Sequence, residues 1–340
     1  MTSTSHNDCK TVNADETAMR LDRWLKAHFP SLPHGLMQKL LRTGQIRVNG
    51  GRAKPDTRLE AGDEVKVRRL AEFDPKVAAA TRASAVARPS LKAPLGVSKA
   101  DRKFLESLIL YEDDEMLVLN KPHGIAVQGG TKTTRHIDGL LAGMEDRFGE
   151  RPRLVHRLDR DTSGVLLVAK KRAVASRLGK LFQTRSVQKI YWALVKGIPK
   201  PPQGKVDVSL VKASGPEGER VRKALAGEQD TAQSAVTHYS VIERIANKMA
   251  WVSLKPVTGR QHQLRAHMAI IGTPIIGDQK YEGDKNLPVD GIEMKLHLHA
   301  NRLVVPRGTG EPLDVTAPLP THMRTTWELL GLDTQKYATK

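Results

Sequence analysis

The chain is poor in the residues that staple, span or stack. Its 340 residues include one cysteine, Cys9, which excludes an internal disulfide framework and any multi-cysteine zinc or iron–sulfur site. No apolar run approaches the ~18–20 residues that cross a bilayer, so no membrane span is expected. The first nineteen residues carry Asp8, Asp15 and Glu16 and no apolar core, so no signal peptide is legible and a cytoplasmic location is expected. Aromatics are sparse, with 5 Phe, 5 Tyr and 4 Trp, too few for a nucleic-acid binder built on rows of stacking platforms. There is no G-x-x-x-x-G-K-[ST], no G-x-G-x-x-G after a strand and no paired acidic cluster that suggests a two-metal site. These absences argue against a P-loop NTPase, a dinucleotide or S-adenosylmethionine fold, and a two-metal nuclease. No cofactor and no metal are expected.

Cationic charge is abundant. Lys and Arg number 55 against 37 Asp and Glu, a net +18. Such an excess predicts a polyanionic partner, because bound basic side chains release the counterions condensed on a phosphate backbone. A hydrophobic content of 39% is that of a globular chain of two or three domains.

The charge is unevenly placed. Leu21, Trp24, Leu25 and Phe29 recur at helical spacing, and Pro30 and Pro33 stop that helix. A second helix runs through Leu36, Met37, Leu40 and Leu41, with Gly44 as its C′ residue. Ile46–Val48 alternates as a strand into an Asn49-Gly50 turn, and Val65 and Val67 mark another strand. This small unit, 17–72, holds 12 Lys/Arg and 5 Asp/Glu between Thr17 and Leu70. Either a solvated face or an RNA-binding surface explains that charge; the basic residues bracketing the helix–turn–strand joint favour RNA. A disordered tail, 1–16, is expected before it. From 73 to 104 the chain is rich in Ala, Pro, Lys and Arg with no apolar period, as a flexible basic linker would be.

The remainder, 105–325 with a C-terminal helix or tail at 326–340, is strand-rich. Leu117–Leu119, Val165–Ala169, Ile190–Val195, Tyr239–Ile242 and Ala250–Leu254 predict strands, with a hairpin between Pro199 and Gln233 and a helix from about Gln261 to Ile271. Strands with interspersed helices and no βαβ alternation indicate an α+β domain.

Two clusters could carry chemistry. In the first, His156-Arg157-Leu158-Asp159-Arg160-Asp161-Thr162-Ser163-Gly164 enters the strand at Val165. Asp159 lies between two arginines in sequence, and neighbouring guanidiniums favour the ionised carboxylate that a nucleophile or base requires. A turn braced by salt bridges fits the bare pattern equally well. In the second, Thr258 or Gly259 is expected to cap a helix whose first turns present Arg260, His262 and Arg265, suited to an anion. His262 and His267 lack the spacing of a helical zinc pair.

At these residues a resemblance emerges. His156-Arg157-Leu158-Asp159 with Thr162-Ser163-Gly164 resembles the signature of the RluA-type pseudouridine synthases, and Leu154 through Lys171 looks most like the RluC branch. Further motifs follow in order: Leu119-Asn120-Lys121-Pro122 with Gly124, Lys189-x-Tyr191-x-Ala193-Leu194, and Thr258-Gly259-Arg260 with His262-Gln263-Leu264-Arg265-x-His267. Gly44-x-Ile46-x-Val48-Asn49 and Leu59-x-Ala61-Gly62-Asp63 resemble the RNA-binding domain of small-subunit ribosomal protein S-four. Gln261 and Leu264 stand where Thr and Ile are commoner, and Pro33-His34-Gly35 departs from the usual start of the second helix.

The resemblance implies a catalytic domain with a mixed, mainly antiparallel central sheet behind an S-four-type RNA-binding domain. It implies conversion of specific uridines in large-subunit ribosomal RNA to pseudouridine. A monomer is expected, since nothing in the sequence suggests an obligate protein partner. Asp159 would start uracil's detachment. Tyr191 would lie against the base, Arg265 would pair with Asp159, and Leu264 would floor the pocket. Arg157 would fill the gap left by the extruded nucleotide. His156, Lys121, Arg260, Arg20, Arg42 and Arg47 are the further expected RNA contacts. Other classes consistent with the residues are a non-catalytic ribosome-assembly factor and a metal-dependent hydrolase using Asp159 or His156.

Overall fold

In the computed structural model, residues 7–30, 32–68, 97–129, 135–215, 218–281, 287, 289–308 and 310–337 are described. They fall into two compact units, Met1–Ala93 and Pro94–Lys340.

In the first unit, α1 (Leu21–His28) and α2 (His34–Arg42) pack on a small sheet of β1 (Asn7–Thr11), β2 (Ile46–Val48), β3 (Gly51–Arg52) and β4 (Glu64–Arg68), ordered β1-β4-β2-β3. Leu21, Trp24, Leu25 and Phe29 meet Leu40, Ile46, Leu59, Val65 and Val67 in a closed core. Both helices therefore exist because one apolar stripe each has a sheet face to cover. Asn49 and Gly50 take φ of 50° and 76°, the left-handed pair that a tight hairpin turn requires.

The expected disordered tail is corrected where it is described. Residues 7–11 pair with β4. Glu16 accepts a hydrogen bond from the Trp24 indole N–H at 2.8 Å and lies 2.6 Å from His28 Nε2. A strand whose partner lies over fifty residues away gives no local signal. The expected linker falls mostly outside the described residues, but its end is helical: α3 spans Lys99–Ser107, with the Ser98 hydroxyl capping the Asp101 N–H. Burial of Leu105 against the second unit's core explains why a segment without helical periodicity folds here.

The second unit adds β5 (Ile109–Glu112), β6 (Met116–Lys121), α4 (Ile137–Leu141), α5 (Glu145–Phe148), β7 (Arg153–Leu154), β8 (Ser163–Ala169), α6 (Arg172–Gln183), β9 (Gln188–Lys196) and β10 (Gln203–Gly215). It continues through β11 (Gly218–Lys223), β12 (Gln233–Ile245), β13 (Met249–Pro256), α7 (Gln263–Ile270), β14 (Leu298–Val305), β15 (Leu313–Thr316) and α8 (Thr321–Leu329). The sheet runs β11-β10-β12-β13-β9-β14-β8-β6-β5, with β15 on β14 and β7 on β8. All strand pairings of this sheet among the described residues are antiparallel except β14–β8.

Both faces are covered. Leu166 and Val168 of β8 pack with α4, whereas Val165 and Leu167 pack with Val174 and Leu178 of α6. A strand buried on both faces must be apolar throughout, which is why 165–169 shows no alternation. Along β9, Tyr191 and Ala193 face Leu264 and Met268 of α7, and Trp192 and Leu194 face Trp327 of α8. The expected boundary at 325/326 is displaced, because α8 crosses it and Tyr337 sits 5.1 Å edge-on from the Trp251 ring. Among the described residues no helix is long and apolar enough to cross a membrane.

Candidate active site

Asp159 sits on the loop between β7 and β8, and that loop is fastened from beneath. The Lys121 ammonium, fully buried at the end of β6, donates to the carbonyls of Pro122, Ile125 and Arg160 at 2.8, 2.8 and 2.9 Å. Gly124 N–H also donates to Arg160 O, and Arg160 Nε donates back to Gly124 O, both at 3.1 Å. Burial pushes the Lys121 ammonium down to about 7, with Asp161 and Asp159 opposing that fall. Lys121 is therefore a brace inside the protein rather than an RNA contact.

Downstream, Gly164 takes φ of 108°, and a Cβ there would lie 2.1 Å from Ala300 O. Only glycine lets β8 and β14 run side by side at the loop's exit. Next to it, Ser163 Oγ lies 2.9 Å from His299 Nδ1, and His299 Nε2 lies 3.1 Å from Ala317 O.

The loop opens into a cavity of about 770 Å³ that gathers Asp159, Tyr191, Leu264, Arg265, Arg157, His156 and Arg260. Tyr191 enters from β9, where its hydroxyl is pushed up by burial and by the Asp159 charge, so it stays protonated. Leu264 is 7% exposed and supplies apolar surface.

Arg265 is buried on α7. Its Nη1 is 3.9 Å from Asp159 Oδ2. Its tight partner is another carboxylate: Nε and Nη2 donate to the two oxygens of buried Asp278 at 2.7 and 2.6 Å. Asp278 also accepts from the backbone N–H of Lys280 and Tyr281. The Tyr281 ring lies 5.3 Å from the guanidinium. Asp278 and Tyr281 thus hold Arg265 from behind and leave one edge toward Asp159. Neither stands out in the sequence, where Gly277-Asp278 has the look of an ordinary turn.

Several expectations change. The arginines flanking Asp159 in sequence do not pair with it; Arg160 is exposed and lies 3.9 Å from Asp161, and the cation facing Asp159 comes from α7. The helix starts at Gln263, after His262 in a left-handed conformation of φ 49°. Thr258 does not cap it directly. Gln263 Oε1 accepts from the Thr258 hydroxyl and the Arg260 N–H, and its Nε2 donates to Val236 O and Thr237 Oγ1. His156 stacks on Phe182 at 4.6 Å and accepts the Leu167 N–H. Burial pushes its imidazole down to about 3, so it is a neutral wall.

In the first unit, Arg20 pairs with Asp22 at 2.7 Å, Arg47 donates to the carbonyls of Gly44 and Gly50, and Arg42 is exposed. Among the described residues no group of three His, Cys, Asp or Glu side chains could hold a metal ion.

The chain is similar to known proteins along most of its length. Residues 115–270 match the family model of RNA pseudouridylate synthases and residues 19–65 that of the S4 domain. Over 321 residues the chain is 37% identical to the ribosomal large subunit pseudouridine synthase C of Haemophilus ducreyi, covering 93% of each protein. Its identity to the Escherichia coli K12 protein of that name is 39% over 315 residues, 91% of this chain and 92% of the other. The solved structure of human RNA pseudouridylate synthase domain containing 4 superposes with a TM-score of 0.58 at 32% identity, over 68% of this chain and 96% of that one. With an S4 domain ahead of a sheet that brings Asp159, Tyr191 and Arg265 into one cavity, the chain belongs to the RNA pseudouridylate synthases and is an RNA pseudouridine synthase, an isomerase.

Proposed function

We propose that the protein converts specific uridines of large-subunit ribosomal RNA to pseudouridine, with Asp159 as the group that acts on the ribose. The carrying observation is Asp159 on a braced loop, facing Arg265 and Tyr191 inside one cavity. The relatives named for the large ribosomal subunit match over more than nine-tenths of the chain, which supports ribosomal RNA as the substrate. The basic S4 domain supports binding to it.

The chemistry follows from what the reaction needs. A uracil in a stack cannot turn over, so its nucleotide is flipped into the cavity at a cost of a few kcal/mol. Asp159 acts on the ribose, either by attack at C1′ or by removing a ribose proton, and the C1′–N1 bond breaks. The uracil rotates against Tyr191 above Leu264, and a C1′–C5 bond forms as the Asp159–C1′ bond of the first route breaks, or as Asp159 returns the ribose proton taken in the second; the hydrogen lost from C5 is balanced by one gained at N1. The net change is an isomerisation, so no oxidant, reductant or nucleotide is consumed.

Asp159→Asn keeps the side chain's shape and removes its charge. It is expected to abolish pseudouridine formation while RNA affinity stays within about threefold of the unaltered chain. Carbodiimide-based mapping of ribosomal RNA from a strain carrying only this variant tests the reading. Unchanged pseudouridines at the sites that disappear on deletion of the gene would overturn it.

A further inference from the structure

Six Lys and Arg side chains line the active-site cavity, and Asp159 is the acid that lines it. Three of the cations are engaged elsewhere. Lys212 pairs with Glu219 at 2.6 Å, Arg260 donates to Ser234 O, and Arg265 is held by Asp278. The side chains of Arg157, Arg185 and Lys189 have no hydrogen-bond or ion-pair partner among the described residues.

Lys189 and Arg185 are neighbours on the cavity wall. Lys189 lies two residues before Tyr191 on β9, so the two side chains leave the same strand face about 6.6 Å apart, a separation that one nucleotide spans. Lys189 is partly buried, and burial with the nearby Arg185 charge pushes its ammonium down. The neighbouring His156 is neutral, and no carboxylate compensates the pair.

Arg185 follows α6 at φ 61°, with Ser186 N–H bonded to Leu181 O, the left-handed position after a helix that glycine ordinarily fills.

We propose that Lys189 and Arg185 form a phosphate subsite that grips the RNA backbone beside the uridine held against Tyr191. The proposal rests on the reading of Asp159 and Tyr191 as the reaction centre. An RNA phosphate supplies the negative charge that the cavity wall lacks, and two cations on one phosphate hold the sugar in register with Asp159. Charge-assisted hydrogen bonds are the strong ones, and Lys189 makes its own from a partly buried position, so this grip positions the nucleotide as well as attracting it.

The test reads binding without turnover. Lys189→Gln, Lys189→Arg and Arg185→Gly are each placed in the full-length Asp159→Asn chain and titrated with an unmodified transcript of large-subunit ribosomal RNA between about 50 and 200 mM salt. Lys189→Gln and Arg185→Gly are expected to bind about tenfold more weakly at low salt, with the slope of log affinity against log salt shallower by about 0.7 for each cation removed from the phosphate. Lys189→Arg should restore the slope. Arg185→Gly should also raise the melting temperature, because glycine relieves the backbone, which separates a missing charge from a damaged fold. A slope that stays the same in both charge-removing variants overturns the subsite, whether or not affinity falls. Pseudouridine formation by the unaltered chain on the same transcript tests the reaction separately.

Discussion

At the scale of single residues, the cavity is shaped by side chains that do not line it. Asp159 is legible because its setting is local: a run of charged residues enters an apolar strand. Asp278 is not, because its role appears only when α7 and the loop after it are folded together. Lys121 stands out by its motif, but the sequence does not show that its ammonium ends among three carbonyls. Asp278 gives the sharpest prediction of this kind. Asp278→Asn leaves the buried Arg265 guanidinium without its counter-ion and replaces one accepting oxygen by an N–H donor. The cost to stability is expected to be about 3 kcal/mol. The single-turnover rate at saturating enzyme is expected to fall about a hundredfold as Arg265 loses its aim, with RNA affinity nearly unchanged. A loss confined to affinity would show that Asp278 does not orient Arg265.

Secondary-structure elements are readable wherever one period dominates. The two amphipathic helices of the first unit and the doubly buried β8 follow from their patterns, and the Asn49-Gly50 hairpin from its turn residues. Elements settled by distant partners are not. Strand β1 needs β4, and the start of α7 is set by Gln263 reaching back to Thr258 and Val236 rather than by an N-terminal Ser or Thr. Gly164 belongs to this second group, because it exists for β14. Gly164→Ala would drive a methyl into Ala300 O while holding alanine at φ 108°, so the two strands must part or the Asp159 loop must move. The expected cost is several kcal/mol, read as a lower melting temperature together with loss of pseudouridine formation. Gly35→Ala in α2, where an added Cβ meets nothing within 4 Å, should instead be neutral or stabilising by up to about 1 kcal/mol. Equal effects at the two positions would show that the close strand approach does not constrain the loop.

Taken whole, the molecule spreads its charge: residues 1–104 hold half of the net +18 and residues 105–340 the other half, while several histidines of the second unit are buried in its interior. His297 and His299 of that unit are wholly buried, and burial pushes both imidazoles down to about 4; His322 and His123 shift the same way. An unfolded chain titrates these groups near 6.5. Between about pH 6.5 and 4 the unfolded state therefore binds the extra protons, and stability rises with pH across that window. The contribution is fully present above 6.5 and is lost as pH falls toward 4, at about 1.4 kcal/mol per pH unit for each of His297 and His299. Urea midpoints for the unaltered chain should thus be level from pH 7 to 8 and fall steeply between 6 and 4.5. His299→Gln keeps groups that can bond Ser163 and Ala317 but does not titrate, so it should flatten part of that fall even if its midpoint at pH 7 is lower. An unaltered slope in His299→Gln would mean that acid sensitivity arises elsewhere, in the carboxylates whose ion pairs are undone at lower pH.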